Sequence, residues 1–161
     1  MRVPELAVAL PDDWLQSVPA SSACLAREVC RRLVVALEGK GFSWQFDRSE
    51  DAACASSEIM LERWCSEHVE YIGIAFEPDW TQRFAISFGR FALVDPCRID
   101  RSGYLASARD GTDRWWGKPE WVPLNVWTAS RASLTVAAAC DELPQVIAFI
   151  EGGAAGASIR V

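Results

Sequence analysis

Residues 69–94 hold two apolar runs that alternate with small or polar residues and are separated by Pro78-Asp79. The first sets Tyr71, Gly73, Ala75 and Glu77 on one face, while Val69, Ile72, Ile74 and Phe76 supply most of its bulk. The second, residues 83–94, turns Phe84, Ile86, Phe88 and Phe91 inward. A period of two residues is that of a half-buried strand. Phe42-Ser43-Trp44-Gln45-Phe46-Asp47 alternates in the same way. The spacing of the three segments predicts an antiparallel meander. Residues 51–68 admit two readings. Ile59, Leu61, Arg63 and Cys65 alternate with Met60, Glu62 and Trp64, which suits a strand, whereas residues 52–58 suit a helix almost as well.

Helical periodicity brackets these strands. Leu25, Val29, Leu33 and Leu37 recur at the four-residue spacing of one buried stripe, predicting a helix over 22–38. Ser22 is its expected N-cap, and Gly39 and Gly41 supply the left-handed conformation that ends helices. Arg27, Glu28, Arg31 and Arg32 then face water. Near the C-terminus, residues 133–140 suit a helix, and Asp141 is expected to cap a second piece with Pro144 in its first turn. Val146, Ile147, Phe149 and Ile150 form its buried side, and Gly152-Gly153 stop it. Residues 95–120 are rich in turn formers and read as a long loop. Residues 121–129 read as strand or a turn of helix. Residues 1–20 form an irregular arm, and the tail, residues 152–161, orders only if Ile159 and Val161 join a sheet edge.

The expectation is one α+β domain spanning residues 1–161, with an antiparallel sheet of four to six strands and the two helices mainly on one face. Half of the 161 residues are hydrophobic, enough for a sizeable core. The core candidates are Leu33, Leu37, Phe42, Ile74, Phe76, Phe84, Ile86, Ile147 and Ile150. No apolar run approaches the roughly 18–20 residues that span a bilayer. Residues 1–10 are interrupted by Pro4 and Glu5 and read as mature structure, so the expected location is cytoplasmic. Cys24, Cys30, Cys54, Cys65, Cys97 and Cys140 fit that location as reduced, mostly buried thiols.

The formal charge of −6 argues against nucleic acid as the partner. Nine acidic residues stand against Arg48 and Arg63 over residues 47–80, so the acidity is local. Glu58, Glu62, Glu67, Glu70, Glu77 and Asp79 read either as a solvated face or as a surface matched to a basic partner. Trp64 and Trp80 lie among them. Eight tryptophans are unusual for this length, and Trp115, Trp116, Trp121 and Trp127 crowd the predicted loop. They read as core anchors or as a contact surface.

Catalytic and metal motifs are sparse. The single histidine is His68, with Cys65 three residues upstream. If both lie on one strand they point to opposite faces, so His68 is read as a surface residue. Cys65-x-x-His68 has no second ligand pair, so neither a metal site nor a cofactor is expected. Residues 152–156 are glycine-rich but follow a helix, which excludes a phosphate cradle at a helix start.

The order of helix, Gly-Phe, meander, tryptophan-rich loop and C-terminal helix is carried by residues 33–37 leading into Gly39-Lys40-Gly41-Phe42. Leu143-Pro144, opening the helix that ends at Glu151-Gly152-Gly153, completes it. This outline resembles small bacterial immunity proteins of polymorphic or contact-dependent toxin systems. The resemblance implies a non-enzymatic, acidic, cytoplasmic protein whose partner is a cognate toxin domain with a basic cleft. On that reading Glu58, Glu62, Trp64, Glu67, Glu70, Glu77, Asp79, Trp80, Trp115 and Trp116 are the partner-binding candidates. Charge reversal at Glu62, Glu67 and Glu70 would then slow association and leave the fold intact. The alternatives are a small hydrolase or transferase using His68 or paired carboxylates, and a small-molecule site in residues 115–127.

Overall fold

Gly41, at φ +90°, is where the helical period gives way to the strand period. Its left-handed backbone lets the Phe42 amide donate back to the Leu37 carbonyl at 3.1 Å, closing the helix end and burying the Phe42 ring beneath it. The computed structural model describes residues 23–45, 58–76, 82–107, 114–118, 123 and 127–161. The helix before Gly41 runs as α1 (Ala23–Val29), a π-helical turn (Cys30–Val34) and α2 (Val35–Glu38). Its stripe of Leu25, Val29, Leu33 and Leu37 is fully buried, as the spacing predicts. Each such side chain contributes about 1.5–3 kcal/mol relative to exposure. Ser22 lies outside the described residues. Gly39 keeps right-handed geometry at φ −60°, so the left-handed role falls to Gly41 alone.

The strands are β1 (Ser43–Gln45), β2 (Glu58–Trp64), β3 (His68–Phe76), β4 (Arg83–Ala92), β5 (Asp95–Leu105), β6 (Trp115–Gly117) and β7 (Ile159–Arg160). They form one seven-stranded antiparallel sheet in the order β1-β2-β3-β4-β5-β7, with β6 pairing with β4 beyond the end of β5. The meander is therefore real, and residues 58–64 resolve as strand. Two expectations about the sheet are corrected. Among the described residues it has seven strands and not four to six. Residues 95–120 also contain β5 and β6 where a loop was expected. Their polar, turn-rich composition reflects a strand with a largely exposed edge. Two register shifts against β4 and the charges of Arg98 and Asp100 interrupt that edge. Such irregularities blunt an edge against pairing with other chains.

The C-terminal helix is also corrected. A single α3 (Ala129–Ile150) replaces the two pieces, and Pro144 lies inside it. Thr128, and not Asp141, is the N-cap, accepting from the Arg131 amide at 3.3 Å. The buried residues Ala132, Val136, Ala139, Leu143, Val146 and Ile150 continue one stripe across Pro144. Burying that stripe outweighs the roughly 3 kcal/mol that an interior proline costs a helix. Among the described residues, α3 is the helix long and apolar enough to cross a membrane by length and composition. Its stripe packs into the core with α1 and the sheet.

The domain is thus α+β, with its core between the helices and one face of the sheet. Ile59, Leu61, Ile72, Ile74, Phe76, Phe84, Ile86, Phe88 and Trp116 meet the helices there. Of the core candidates, Ile147 alone is only half-buried; the others are buried. Phe91 belongs to the opposite face, 6.3 Å from the Tyr71 ring. Ile159 is buried and β7 pairs with β5, so the tail does join the sheet. Trp116 donates its indole N–H to the Leu105 carbonyl at 3.0 Å, tying β6 to the end of β5.

The described thiols are less uniformly buried than expected, Cys54 and the Cys97 side chain lying outside the description. Cys30 is buried and Cys24 exposed, with Cys65 and Cys140 between them, and all four are free. Burial pushes the Cys30 thiol up to about 12. Iodoacetamide is therefore expected to alkylate Cys24 in the native chain and Cys30 only after denaturation, as peptide mapping would show. Native-state labelling of Cys30 at the rate of Cys24 would contradict this packing.

Candidate functional site

Antiparallel partners share a face, so a hairpin brings residues separated in sequence onto one patch. Between β2 and β3 the chain reverses through Ser66 and Glu67, and the Cys65 amide donates to the His68 carbonyl at 2.9 Å. Cys65 therefore lies across from His68 on the helix-facing side. The expectation that they point apart is corrected, because it treated a reversing segment as one continuous strand. Glu70 is two residues beyond His68 and Arg63 two residues before Cys65, so both share that side. Three kinds of donor converge here: the Cys65 thiol, the His68 ring and the Glu70 carboxylate lie within 4.8 Å of one another.

Glu70 is the floor of the cluster, with only 2% of its surface exposed. Its Oε2 accepts from Arg63 Nε at 2.5 Å, and its Oε1 lies 3.2 Å from His68 Nε2. Arg63 is itself held on every side. Nη1 donates to the Lys40 carbonyl and Nη2 to Glu151 Oε1, each at 3.0 Å. Its guanidinium carbon sits 4.6 Å above the Phe42 ring. In register with this pair, Arg90 donates to the Ile150 carbonyl at 3.1 Å and to Asp100 at 2.7 Å. Arg101 donates to the Gly153 carbonyl at 2.7 Å and stacks on Phe149. The row Arg63-Glu70-Arg90-Arg101 thus runs across four strands beside the C-terminal ends of both helices. Positive charge is favourable at those ends.

The electrostatics follow from this packing. Burial would raise the Glu70 carboxyl, but hydrogen bonds and charge from Arg63 and His68 outweigh it and hold it below its ordinary value. Burial and the Glu70 charge raise the Cys65 thiol, which Arg63 offsets in part. A thiol kept neutral is a poor nucleophile. Cys65 and His68 are half-buried, so solvent reaches the side of the cluster away from Glu70.

The sequence-derived candidates scatter. Glu58 and Glu67 are exposed, and Glu62 is half-buried. Trp64 is 65% exposed, and its Nε1 donates to Glu62 Oε2 at 3.1 Å. By register Glu58, Glu62 and Trp64 share the sheet face opposite the helices. Two candidates are withdrawn from the surface. Glu70 is buried and ion-paired, so reversing its charge would strike the fold. Trp116 is buried core. Trp115 is half-buried, with the Arg83 and Arg114 guanidinium groups 6.0 and 5.2 Å from its ring. Glu77, Asp79, Trp80 and Trp121 lie outside the described residues, and Trp127 packs against the core. Arg63 was missed as a site residue. The signal available was its place among apolar residues in the alternation of β2.

Comparison with family models, with curated proteins and with solved structures found no match for this chain.

Proposed function

We propose that this domain is a small enzyme of the hydrolase or transferase class whose chemistry takes place at the Cys65, His68 and Glu70 cluster. The observation that carries this reading is the convergence of the three side chains within 4.8 Å, on one hairpin. Structural ion pairs need no imidazole or thiol beside them. Here Glu70, clamped by Arg63, lies 3.2 Å from Nε2 of the half-buried His68. A carboxylate fixed beside an imidazole is a recurring feature of acid–base and metal sites alike.

The test is turnover by the full chain on a panel of ester, phosphoester and amide chromogenic substrates. A wild-type rate above buffer is expected, reduced roughly 10²–10⁴-fold by His68→Ala. Glu62→Gln, on the opposite face, is expected to retain the wild-type rate. A His68→Ala variant that is folded and fully active would overturn the reading, as would a wild-type chain inert on the whole panel.

A second reading keeps the chain as a toxin-binding immunity protein. What favours it is the exposed indole of Trp64 beside Glu62, with Glu58 on the same sheet face. An exposed tryptophan among acids suits a partner with a basic cleft. Charge reversal at Glu58, Glu62 and Glu67 would then slow association with that partner without unfolding the chain.

A further inference from the structure

We infer that Cys65, His68 and Glu70 are the protein ligands of one zinc-class divalent ion. The inference deepens the reading above and rests on it only in taking this cluster as the functional centre. Thiolate sulfur, imidazole nitrogen and carboxylate oxygen are the three donor types that zinc accepts, and three protein ligands plus water is the pattern of its catalytic sites. A tetrahedral ion with bonds of about 2.0–2.1 Å to nitrogen and oxygen holds those atoms about 3.3 Å apart. His68 Nε2 and Glu70 Oε1 are already 3.2 Å apart. Cys65 pairs with His68 at the closed end of the hairpin, and its sulfur lies within 4.8 Å of a ligand atom of each of the other two residues.

The surroundings fit a metal as well as the ligands do. Glu70 turns Oε1 toward the cluster while Arg63 holds Oε2, so the carboxylate is oriented by its other oxygen. Such an outer partner matters because its loss typically weakens metal binding about 10–100-fold. Charge also balances: a divalent ion, the Cys65 thiolate and the Glu70 carboxylate sum to zero, and Arg63 is countered by Glu151. Loading is an exchange without redox change: the sulfur–hydrogen bond breaks, a metal–sulfur bond forms, and the thiol proton passes to solvent. The fourth position would hold water, whose lowered pKa supplies a nucleophile for hydrolysis at neutral pH. His68 then acts as a ligand, and turnover depends on it for that reason.

The experiment uses the reduced full chain, titrated with Co²⁺ and then with Zn²⁺. One equivalent of cobalt is expected to produce a thiolate-to-cobalt charge-transfer band that zinc abolishes. The band should disappear in Cys65→Ser and weaken at least about 10-fold in apparent affinity in His68→Gln and Arg63→Gln. In parallel, Zn²⁺ should protect Cys65 from iodoacetamide while exposed Cys24 is still alkylated. Circular dichroism establishes that each variant is folded; because Cys65 protection is read on the wild-type chain, the test survives a variant that fails to fold. Alkylation of Cys65 at the same rate with and without Zn²⁺ overturns the inference, as does an unchanged cobalt band in Cys65→Ser. Metal binding without turnover on the substrate panel sinks the enzyme reading and leaves the metal site standing. Turnover that survives chelators, with Cys65 unprotected, does the reverse.

Discussion

Replacing Arg63 with alanine is expected to destabilise the folded chain by about 3 kcal/mol, read as a lower urea midpoint at unchanged slope. The reason is what the substitution leaves behind. Glu70 has 3% of its side chain exposed and Arg63 21%, so the carboxylate would stay buried without its main counter-charge. Removing one partner of a buried pair costs roughly 3–5 kcal/mol, and the partial exposure of Arg63 places this case at the low end. The lost hydrogen bond to the Lys40 carbonyl adds about 1 kcal/mol at most. Combining Arg63→Met with Glu70→Leu is expected to recover most of the loss, because no charge is then stranded.

The same pair gives a pH dependence of definite sign. The folded Glu70 carboxyl lies below its ordinary value and the unfolded one does not. The stability it contributes is therefore complete above the ordinary carboxylate range and is lost as pH falls through that range toward the lowered folded value. Without Arg63, burial acts on Glu70 with less to oppose it, so the acid-side loss should become shallower. An Arg63→Ala chain with the wild-type midpoint and acid profile would show that the pair contributes nothing.

Phe88→Ala is expected to cost about 3–5 kcal/mol, the other large effect. The ring is fully buried at the centre of the sheet, between Ile72 and Gly103 in register. It meets Phe149 of α3 edge-on, with centroids 5.7 Å apart. Gly103 makes room for it: a Cβ there would come within 3.3 Å of the Phe88 ring and 2.5 Å of the Arg160 carbonyl oxygen. Truncation would thus open a cavity between the sheet and α3 that neither backbone can close. Phe88→Leu should retain more than half of the lost stability, because it restores most of the volume. A loss below about 1 kcal/mol for the alanine variant, measured by equilibrium unfolding, would mean that the helix layer is not seated on this ring.

Both effects concern residues whose environment was unequally legible. Phe88 was readable as core, because alternation alone assigns it the same face as Phe84 and Ile86. The α1 stripe was readable for the same reason: a four-residue spacing of leucine and valine has one low-energy arrangement. Periodicity is local, and these elements bury one face by local rules. The α3 helix was misjudged because Pro144 is a strong local signal for a boundary. Only packing of the whole stripe shows that the helix continues through it. β5 was missed because few of its side chains are apolar; its pairing with β4 is a property of the backbone and of a neighbour already in place.

The site lies on the other side of that division. Its residue types were visible, and Cys65, His68 and Glu70 lie within six positions of one another. Their relation was not visible, because opposite faces or one face depends on whether the chain continues or reverses at Ser66 and Glu67. The reversal is set by pairing of β2 with β3, whose buried rows of Leu61 with Ile72 and Ile59 with Ile74 fix the register. A one-residue slip would send Arg63 and Glu70 to opposite faces of the sheet. The sequence alone determined an α+β chain, its leading helix, its central meander and most of its core, since each follows from spacing along the chain. Tertiary structure alone decided the seven-strand count, the single C-terminal helix and the buried Arg63–Glu70 pair beside Cys65 and His68, since each depends on contacts between segments that spacing cannot specify.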